Sequence, residues 1–375
     1  MPADRPFRIA HLTVYRDLPS GVRKQLTFEH GAAQAMPDDI EWTTLAVHGG
    51  ETKQPFERRI PPLFRPMFLR NLYGWMTAHR LIREHDAVLL RYMPFDLSAP
   101  LMAPLVRKRF TVHHSKEVEE MRLIKTGASG RIASFIDRLV GPIVVRSGRG
   151  IVAMTEEIAA YENARIAGTK ASTIYPNGLD PAMVPLADDL REDGRCRILF
   201  MSDRFSQWHA LDRLVDAVAA YDGDLSNVTI DLVGNLSEEQ LAHIKSIGEK
   251  SRVFAVRGFL EPEAYRQIIA SADVGLGSLG LDRQNLSEAC ILKNREMLGS
   301  GLPVYATHRD VGLPDDFPFY LRTRRVDIGE LLAFCHAQKA FDRQAVRDSA
   351  IAYIDKRELM RTLAGWLRSQ TATRA

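Results

Sequence analysis

The residues of this chain best suited to chemistry gather in one stretch, 274–304. It carries Gly275, Gly277, Ser278 and Gly280, then Glu288, Lys293 and Glu296, then Gly301 and Pro303. Glycines at the end of a strand let backbone N–H groups approach a phosphate, and a helix N-terminus favours an anion. Two readings compete. Gly275-x-Gly277-x-x-Gly280 has the form of a dinucleotide fingerprint. However, it lies in the last third of the chain, and residues 281–287 separate it from a helix expected over 289–298. In the second reading Glu288, at the helix entrance, and Glu296, inside the helix, grip sugar hydroxyls at two points. Lys293, three residues before Glu296, meets a phosphate. Taken alone, the two glutamates more often mark a solvated helix face with ordinary ion pairs. A further acidic pattern, Asp222-Gly223-Asp224, has the form of a metal-holding pair. It follows an expected helix and precedes Leu225 and Asn227, so it reads as a surface turn, and no metal site is expected.

The elements that must position these residues follow an alternating pattern. Short apolar runs at 7–14, 40–47, 87–92, 110–113, 150–154 and 171–175 predict strands, with amphipathic helical segments between most of them. Pro176-Asn177-Gly178 is strong turn chemistry. Pro181, Pro185 and the acids Asp188, Asp189, Glu192 and Asp193 then read as a linker. The alternation restarts with strands at 197–201, 228–233, 253–256, 274–276 and 304–306, and the tail over 328–367 is helical by pattern. Strands alternating with helices imply right-handed crossovers and a buried, mainly parallel sheet. The expected architecture is α/β: two doubly wound Rossmann-like domains, with a cleft between them and ligands off the carboxyl ends of the strands. The expected boundaries are 1–180, a linker over 181–195, 196–355, and a C-terminal helix over 356–375 packing back on the first domain.

With 375 residues, 45% hydrophobic and 26% charged, the chain has the balance of a globular protein with two ordinary cores. Cys196, Cys290 and Cys335 are scattered, with no metal-type spacing; this argues against disulfides and a zinc site and fits a reducing compartment. The first residues lack the apolar stretch of a signal peptide, and no apolar run reaches a membrane span, so a cytoplasmic protein is expected. The net charge of +3 is unevenly placed. Residues 1–180 hold 25 Lys and Arg against 19 Asp and Glu, and the remainder is net −3. From Lys53 to Arg83 there are seven basic residues and one acid, Glu57.

Four stretches, in order, carry a resemblance to a known family. They are Pro176-Asn177-Gly178-Leu179-Asp180, Gln207-Trp208-His209-Ala210-Leu211-Asp212-Arg213-Leu214, Val256-Arg257-Gly258-Phe259, and Glu288-x7-Glu296 with Gly301-Leu302-Pro303-Val304. Together they resemble the donor-site half of the retaining nucleotide-sugar glycosyltransferases of GT-B fold, family 4. The nearer subgroup acts on bacterial surface polysaccharides. The resemblance covers residues 175–305 and is faint before them. The chain departs from the family pattern at Ser202 and Ala210, where glycine is common, at His209 for lysine, and at Glu288-Ala289-Cys290-Ile291 for a Glu-Gly-Phe-Gly start.

The resemblance implies roles. Glu296 would hold the ribose hydroxyls and Glu288 those of the transferred sugar. Lys293, with Arg204 or His209, would balance the diphosphate; negative charge builds there as the glycosidic bond breaks. Backbone near Gly258 and Phe259 would take the base, and Ser278 lies among the donor-binding residues. In the first half, Gly21 after Ser20 resembles the glycine loop that faces the donor sugar. His113 or His114 resembles the histidine near that sugar, with His114 preferred. Strand alternation points the two histidines to opposite faces, so only one can serve. No cofactor is implied beyond the nucleotide-diphosphate sugar itself.

The segment 58–83 interleaves arginines with Leu63, Phe64, Met67, Phe68, Leu69 and Trp75. That pattern suits an anionic membrane surface or the diphosphate of a lipid-linked acceptor; an amphipathic core helix with arginines outside fits as well. The expected partners are therefore a nucleotide-sugar donor, a glycan or polyprenyl-diphosphate-linked acceptor and an anionic membrane surface on the inner face of the plasma membrane. Nucleic acid fits poorly, because the second half is net acidic and carries no known motif. The leading function is glycosyl transfer onto a surface glycan. Its rivals are an epimerase or phosphorylase of the same fold, a non-catalytic nucleotide-sugar binder, and last a nicotinamide enzyme built on the three glycines.

Overall fold

The computed structural model describes residues 5–124, 127–192 and 194–372; Asp193 of the acidic linker and residues 1–4 lie outside them. The chain divides into two compact units, one of residues 1–180 with 355–375 and one of 181–354.

The first unit runs β1 (Phe7–Tyr15), α1 (Ser20–Ala33), β2 (Ile40–His48), β3 (Glu57–Arg59), α2 (Met67–Glu84), β4 (Ala87–Arg91), α3 (Ala99–Met102), β5 (Arg109–His113), α4 (Glu117–Ile124), α5 (Ala128–Ser147), β6 (Gly150–Ala153), α6 (Glu156–Arg165) and β7 (Ser172–Ile174). Its seven strands are parallel, in the order β3-β2-β1-β4-β5-β6-β7. Both faces are covered, which is why the central strands β4 and β6 read as nearly unbroken apolar runs. Successive residues alternate between two cores. Phe7, Ile9, Leu89 and Phe110 pack on one side with Met360 and Leu363 of the C-terminal helix. Ala10, Leu12, Val88 and Leu90 pack on the other with Trp75, Ala103 and Val144.

The second unit runs β8 (Cys196–Arg204), α7 (Leu211–Ala220), β9 (Val228–Asn235), α8 (Glu238–Ser246), β10 (Phe254–Gly258), α9 (Pro262–Ser271), β11 (Val274–Leu276), β12 (Glu288–Ala289), α10 (Leu292–Gly299), β13 (Val304–Ala306), β14 (Arg309–Asp310), β15 (Tyr320–Arg322), α11 (Ile328–Gln338) and α12 (Arg343–Ile354). The chain then returns to the first unit as α13 (Lys356–Ala372). Six parallel strands form the sheet β10-β9-β8-β11-β13-β15. Each unit thus shows the Rossmann strand order, with a switch point where the order reverses: between β1 and β4 in one, and between β8 and β11 in the other. β12 and β14 form a separate two-stranded ladder.

Two expectations change here. Cys196, opening β8, is bonded to Cys335 of α11, 139 residues away; scattered spacing gives no sign of such a pairing. Cys290 is free and buried. The helix expected from residue 289 begins instead at Leu292, because Glu288 and Ala289 pair with Arg309 and Asp310.

Candidate functional site

In the second unit Lys293, His209 and Arg204 gather at the carboxyl end of β8, beside its switch point with β11. Lys293, in the first turn of α10, donates from Nζ to the Met201 carbonyl at 3.3 Å and lies 5.0 Å from the centroid of the Phe200 ring. Burial lowers its pKa to about 7. Tyr265 of α9 donates to the Met201 Sδ at 2.7 Å, and its hydroxyl pKa is raised by burial and by the charge of Glu296. Lys293 and Tyr265 thus meet at Met201, and the charge of Glu296, three residues on from Lys293, is felt at the Tyr265 hydroxyl.

His209 closes a short turn, Gln207–His209, that follows β8. The Ser206 amide donates to His209 Nδ1 at 2.9 Å, which puts the ring proton on Nε2. That nitrogen faces the Ser202 hydroxyl at 3.2 Å, and the hydroxyl donates to the Arg204 carbonyl at 2.7 Å. Burial and the nearby Lys293 charge lower the His209 pKa to about 2. His209 is therefore a neutral ring that orders the Ser202–Ser206 segment, and it adds no positive charge of its own. Arg204 is exposed at the end of β8.

Glu288 does not stand at the helix entrance. It lies in β12, where Arg309 of β14 pairs with it at 3.1 Å and with Asp315 at 2.8 Å. The loop is fastened from beneath: Arg295 of α10, fully buried, pairs with Asp310 of β14 and donates to the Cys290 Sγ at 2.7 Å.

The three glycines of the fingerprint pattern have a packing explanation. Their amides donate to the carbonyls of Pro303, Tyr305 and Trp208, so none of the three N–H groups is left for a phosphate. A Cβ at Gly275 would fall 2.4 Å from Met297 Sδ, and one at Gly277 would fall 2.8 Å from the Ala306 Cβ. Ser278 is buried, and its carbonyl accepts from His308 Nδ1 at 3.1 Å. His308, just past β13, went unnoticed in the sequence. Its Nε2 is buried and has no hydrogen-bond partner among the described residues, and burial lowers its pKa to about 3. Nothing in the local pattern marks it; only the fold brings it beside Ser278.

Gly258 ends β10 at a bulge with φ of +66°, a left-handed conformation that suits glycine. Phe259 follows it, 72% exposed. A large aromatic ring held on a loop at the carboxyl edge of the sheet offers a flat apolar face to a planar ligand.

In the first unit, His113 ends β5 and His114 follows it, on opposite faces. His113 is fully buried in a charged cluster. Its Nδ1 lies 3.3 Å from Glu117 and 3.7 Å from Glu162, and its ring stacks on Tyr92 at 4.8 Å. Burial alone would lower its pKa, but Glu162 and Glu117 raise it. Arg165 forks onto Glu162 at 2.8 and 2.9 Å and also pairs with Asp137. His114 lies in the opposite electrostatic setting. Burial, then the charges of Arg91, His11 and Lys356, push its pKa well down, and its Nε2 is buried with no hydrogen-bond partner among the described residues. Gly21, in the first turn of α1, is exposed, with nothing crowding its Cα.

No protein-family profile matches the chain, and no curated protein matches it. Solved structures do. The lipopolysaccharide outer core galactosyltransferase WaaB in its apo form superposes with a TM-score of 0.63 at 13% identity, covering 96% of this chain and 100% of that one. Sucrose-phosphate synthase from Thermosynechococcus elongatus gives 0.65 at 13%, over 98% and 100%. Anabaena Alr3699/HepE, solved in complex with UDP and glucose, gives 0.59 at 13%, over 97% and 100%. The two Rossmann-like units of this chain are those of the GT-B fold that these glycosyltransferases share.

Proposed function

We propose that this protein is a glycosyltransferase. It would move a sugar from a nucleotide-diphosphate donor to a glycan or polyprenyl-diphosphate-linked acceptor, with retention, in surface polysaccharide synthesis at the inner face of the plasma membrane. The observation that carries the reading is Lys293: an amine on the first turn of α10, held over the carboxyl end of β8 at the switch point of a Rossmann sheet. That is where such sheets take phosphate-bearing ligands. The UDP and UDP-glucose complexes of HepE, a protein of like fold, support the same donor class.

In this reading the residues divide the work. Lys293, with Arg204, neutralises the charge that builds on the departing diphosphate, and the neutral His209 holds the loop that carries Arg204. Glu296 takes the ribose hydroxyls. Glu288, tethered by Arg309, takes those of the transferred sugar, and Phe259 and Gly258 take the base. His114, a neutral imidazole, and Gly21 are the first unit's candidates for contact with a sugar. His113, enclosed by Glu117 and Glu162, keeps a structural part.

A thermal-shift screen of UDP, GDP, ADP and their sugars, followed by a transfer assay with the stabilising donor, tests the reading. Lys293→Ala and Glu296→Ala should each cut transfer at least a hundredfold while the protein stays folded. Unchanged transfer in both variants removes the assignment. Tight donor binding with no transfer or hydrolysis identifies a non-catalytic binder instead.

A further inference from the structure

The second unit holds a buried side-chain cluster that the nucleotide chemistry does not use. Cys196 opens β8, Asp273 stands just before β11, and Cys335 lies on α11. All three are buried. One sulfur from each cysteine and one carboxylate oxygen of Asp273 lie within 4.8 Å of one another. β8 and β11 run parallel, so their amino ends, where this cluster sits, are opposite the end that carries Met201, Lys293 and His209.

The two cysteines belong to the apolar core formed with Ile198, Ile230, Ile328 and Leu331. Asp273 is tied beside them: its Oδ2 accepts from the Arg197 amide at 2.7 Å, and its Oδ1 faces the Lys339 ammonium at 3.1 Å. As a disulfide the two sulfurs are neutral. A dithiol reductant opens that bond. It gives up two electrons and two protons, becomes a disulfide itself, and leaves Cys196 and Cys335 as thiols. In a reducing compartment the thiols are the expected state.

Charge and reach then select the ligand. Two thiolates and a carboxylate held this close in a core repel one another, and the Lys339 ammonium offsets only one of the three charges. A divalent cation offsets the other two. Thiolate donors with a carboxylate suit a borderline-soft ion, and zinc takes such ligands tetrahedrally, at about 2.3 Å from sulfur and about 2.0–2.2 Å from oxygen. The cysteine Cα atoms stand 6.3 Å apart, toward the wide end of what a disulfide spans, so both side chains can turn onto one ion without a large backbone shift. Three protein ligands leave the fourth position to water. The ligands come from a strand, a loop and a helix far apart in the chain, which is why cysteine spacing gives no sign of them.

We propose that the reduced protein binds one zinc ion through Cys196, Cys335 and Asp273. Binding releases both thiol protons to solvent. The ion fastens the start of β8 to α11, as the disulfide does in the oxidised protein, so this end of the sheet is held in either redox state. Zinc binding here needs neither donor nor turnover, and it stands or falls apart from the transfer reading.

The test uses the full chain, oxidised and after treatment with a phosphine reductant, with zinc or cobalt(II) as the probe. The reduced chain should take up one equivalent of metal, show a sulfur-to-cobalt charge-transfer band, and melt at a higher temperature with zinc than without it. The oxidised chain should do none of these. Cys196→Ser and Cys335→Ser should each abolish the band. Asp273→Asn should lower zinc affinity by at least about tenfold, and Cys290→Ser should leave band and affinity unchanged. The comparison of oxidised with reduced wild-type chain needs no variant, so it decides the matter even where a serine variant fails to fold. No uptake by the reduced chain, equal uptake by the oxidised chain, or a bond that stays closed in excess phosphine overturns the proposal. Full affinity in Asp273→Asn overturns the part given to the carboxylate.

Discussion

Gly280 faces Ala210 so closely that a Cβ at position 280 would lie 2.6 Å from the Ala210 Cβ. The contact seats the loop after β11 against the turn after β8: the Gly280 amide donates to the Trp208 carbonyl at 3.1 Å and the Leu279 amide to that of His209 at 3.3 Å. Ala210 itself sits at φ 53°, ψ 49°, a left-handed conformation that costs an alanine about 1 kcal/mol. The two positions are thus coupled. One methyl group fits between them, at the less favourable backbone site.

Gly280→Ala should therefore destabilise the protein by about 1–3 kcal/mol through overpacking. Adding Ala210→Gly should recover most of that loss, since it removes the opposing methyl and suits the left-handed backbone. A double-mutant cycle by chemical denaturation measures this coupling. Additive effects in the cycle would show that the two side chains do not contend for the same space.

Lys293 links site chemistry to pH. Its pKa of about 7 is below the ordinary lysine range, so between pH 7 and the unfolded value the unfolded chain binds more protons than the folded one. This lysine therefore makes the protein more stable as pH rises through that window, and the gain is absent below it. A bound diphosphate reverses the balance by favouring the ammonium. At pH 8 nucleoside diphosphate binding should take up a proton, and affinity should fall as pH rises further. Titration calorimetry in buffers of different ionisation enthalpy reads the uptake, and Lys293→Met should abolish it. Equal uptake in the variant would assign the proton to another group.

Much of the fold was written plainly in the sequence. Strands buried on both faces, such as 87–90 and 150–153, read as continuous apolar runs that only a helix-covered parallel sheet accommodates. β3 was not legible: Glu57, Arg58 and Arg59 are polar, and their strand character comes from pairing at the sheet edge with Ala46, Val47 and His48. The two-residue ladder of β12 and β14 was hidden for the same reason, and it takes Glu288 away from the helix entrance. Glycine spacing showed where the chain packs tightly but not why. At Gly275 the neighbour is Met297 and at Gly277 it is Ala306, contacts set by chain segments well beyond any local window. His308 and the Cys196–Cys335 bond belong to the same class of long-range facts.

Phe259 provides a test that stability does not confuse. The ring is exposed, so Phe259→Ala should change the unfolding free energy by no more than about 0.5 kcal/mol. Stacking of a base on an aromatic ring contributes about 1–3 kcal/mol. The variant should then bind nucleotide roughly 5- to 150-fold more weakly, with Trp or Tyr at the position restoring affinity. Unaltered affinity in the alanine variant would place the base elsewhere.

The adjacent histidines separate in the same way. His113→Ala leaves Glu117 and Glu162 facing each other without the imidazolium, so its main effect should be on stability. Because the His113 pKa is raised, the stabilisation it provides is fully present below the unfolded value near 6.5. It is lost as pH rises through the folded value, so the melting deficit of the variant should shrink toward alkaline pH. His114 carries no such ion pair, and its neutral ring has a spare buried nitrogen. His114→Ala should cost about 1–3 kcal/mol or less in stability and lower kcat much more than donor affinity, if its hydrogen bond is made to the sugar as the bond breaks. Melting curves across pH, set beside kcat and KM for both variants, decide the matter. A kcat loss confined to His113→Ala would exchange the two roles.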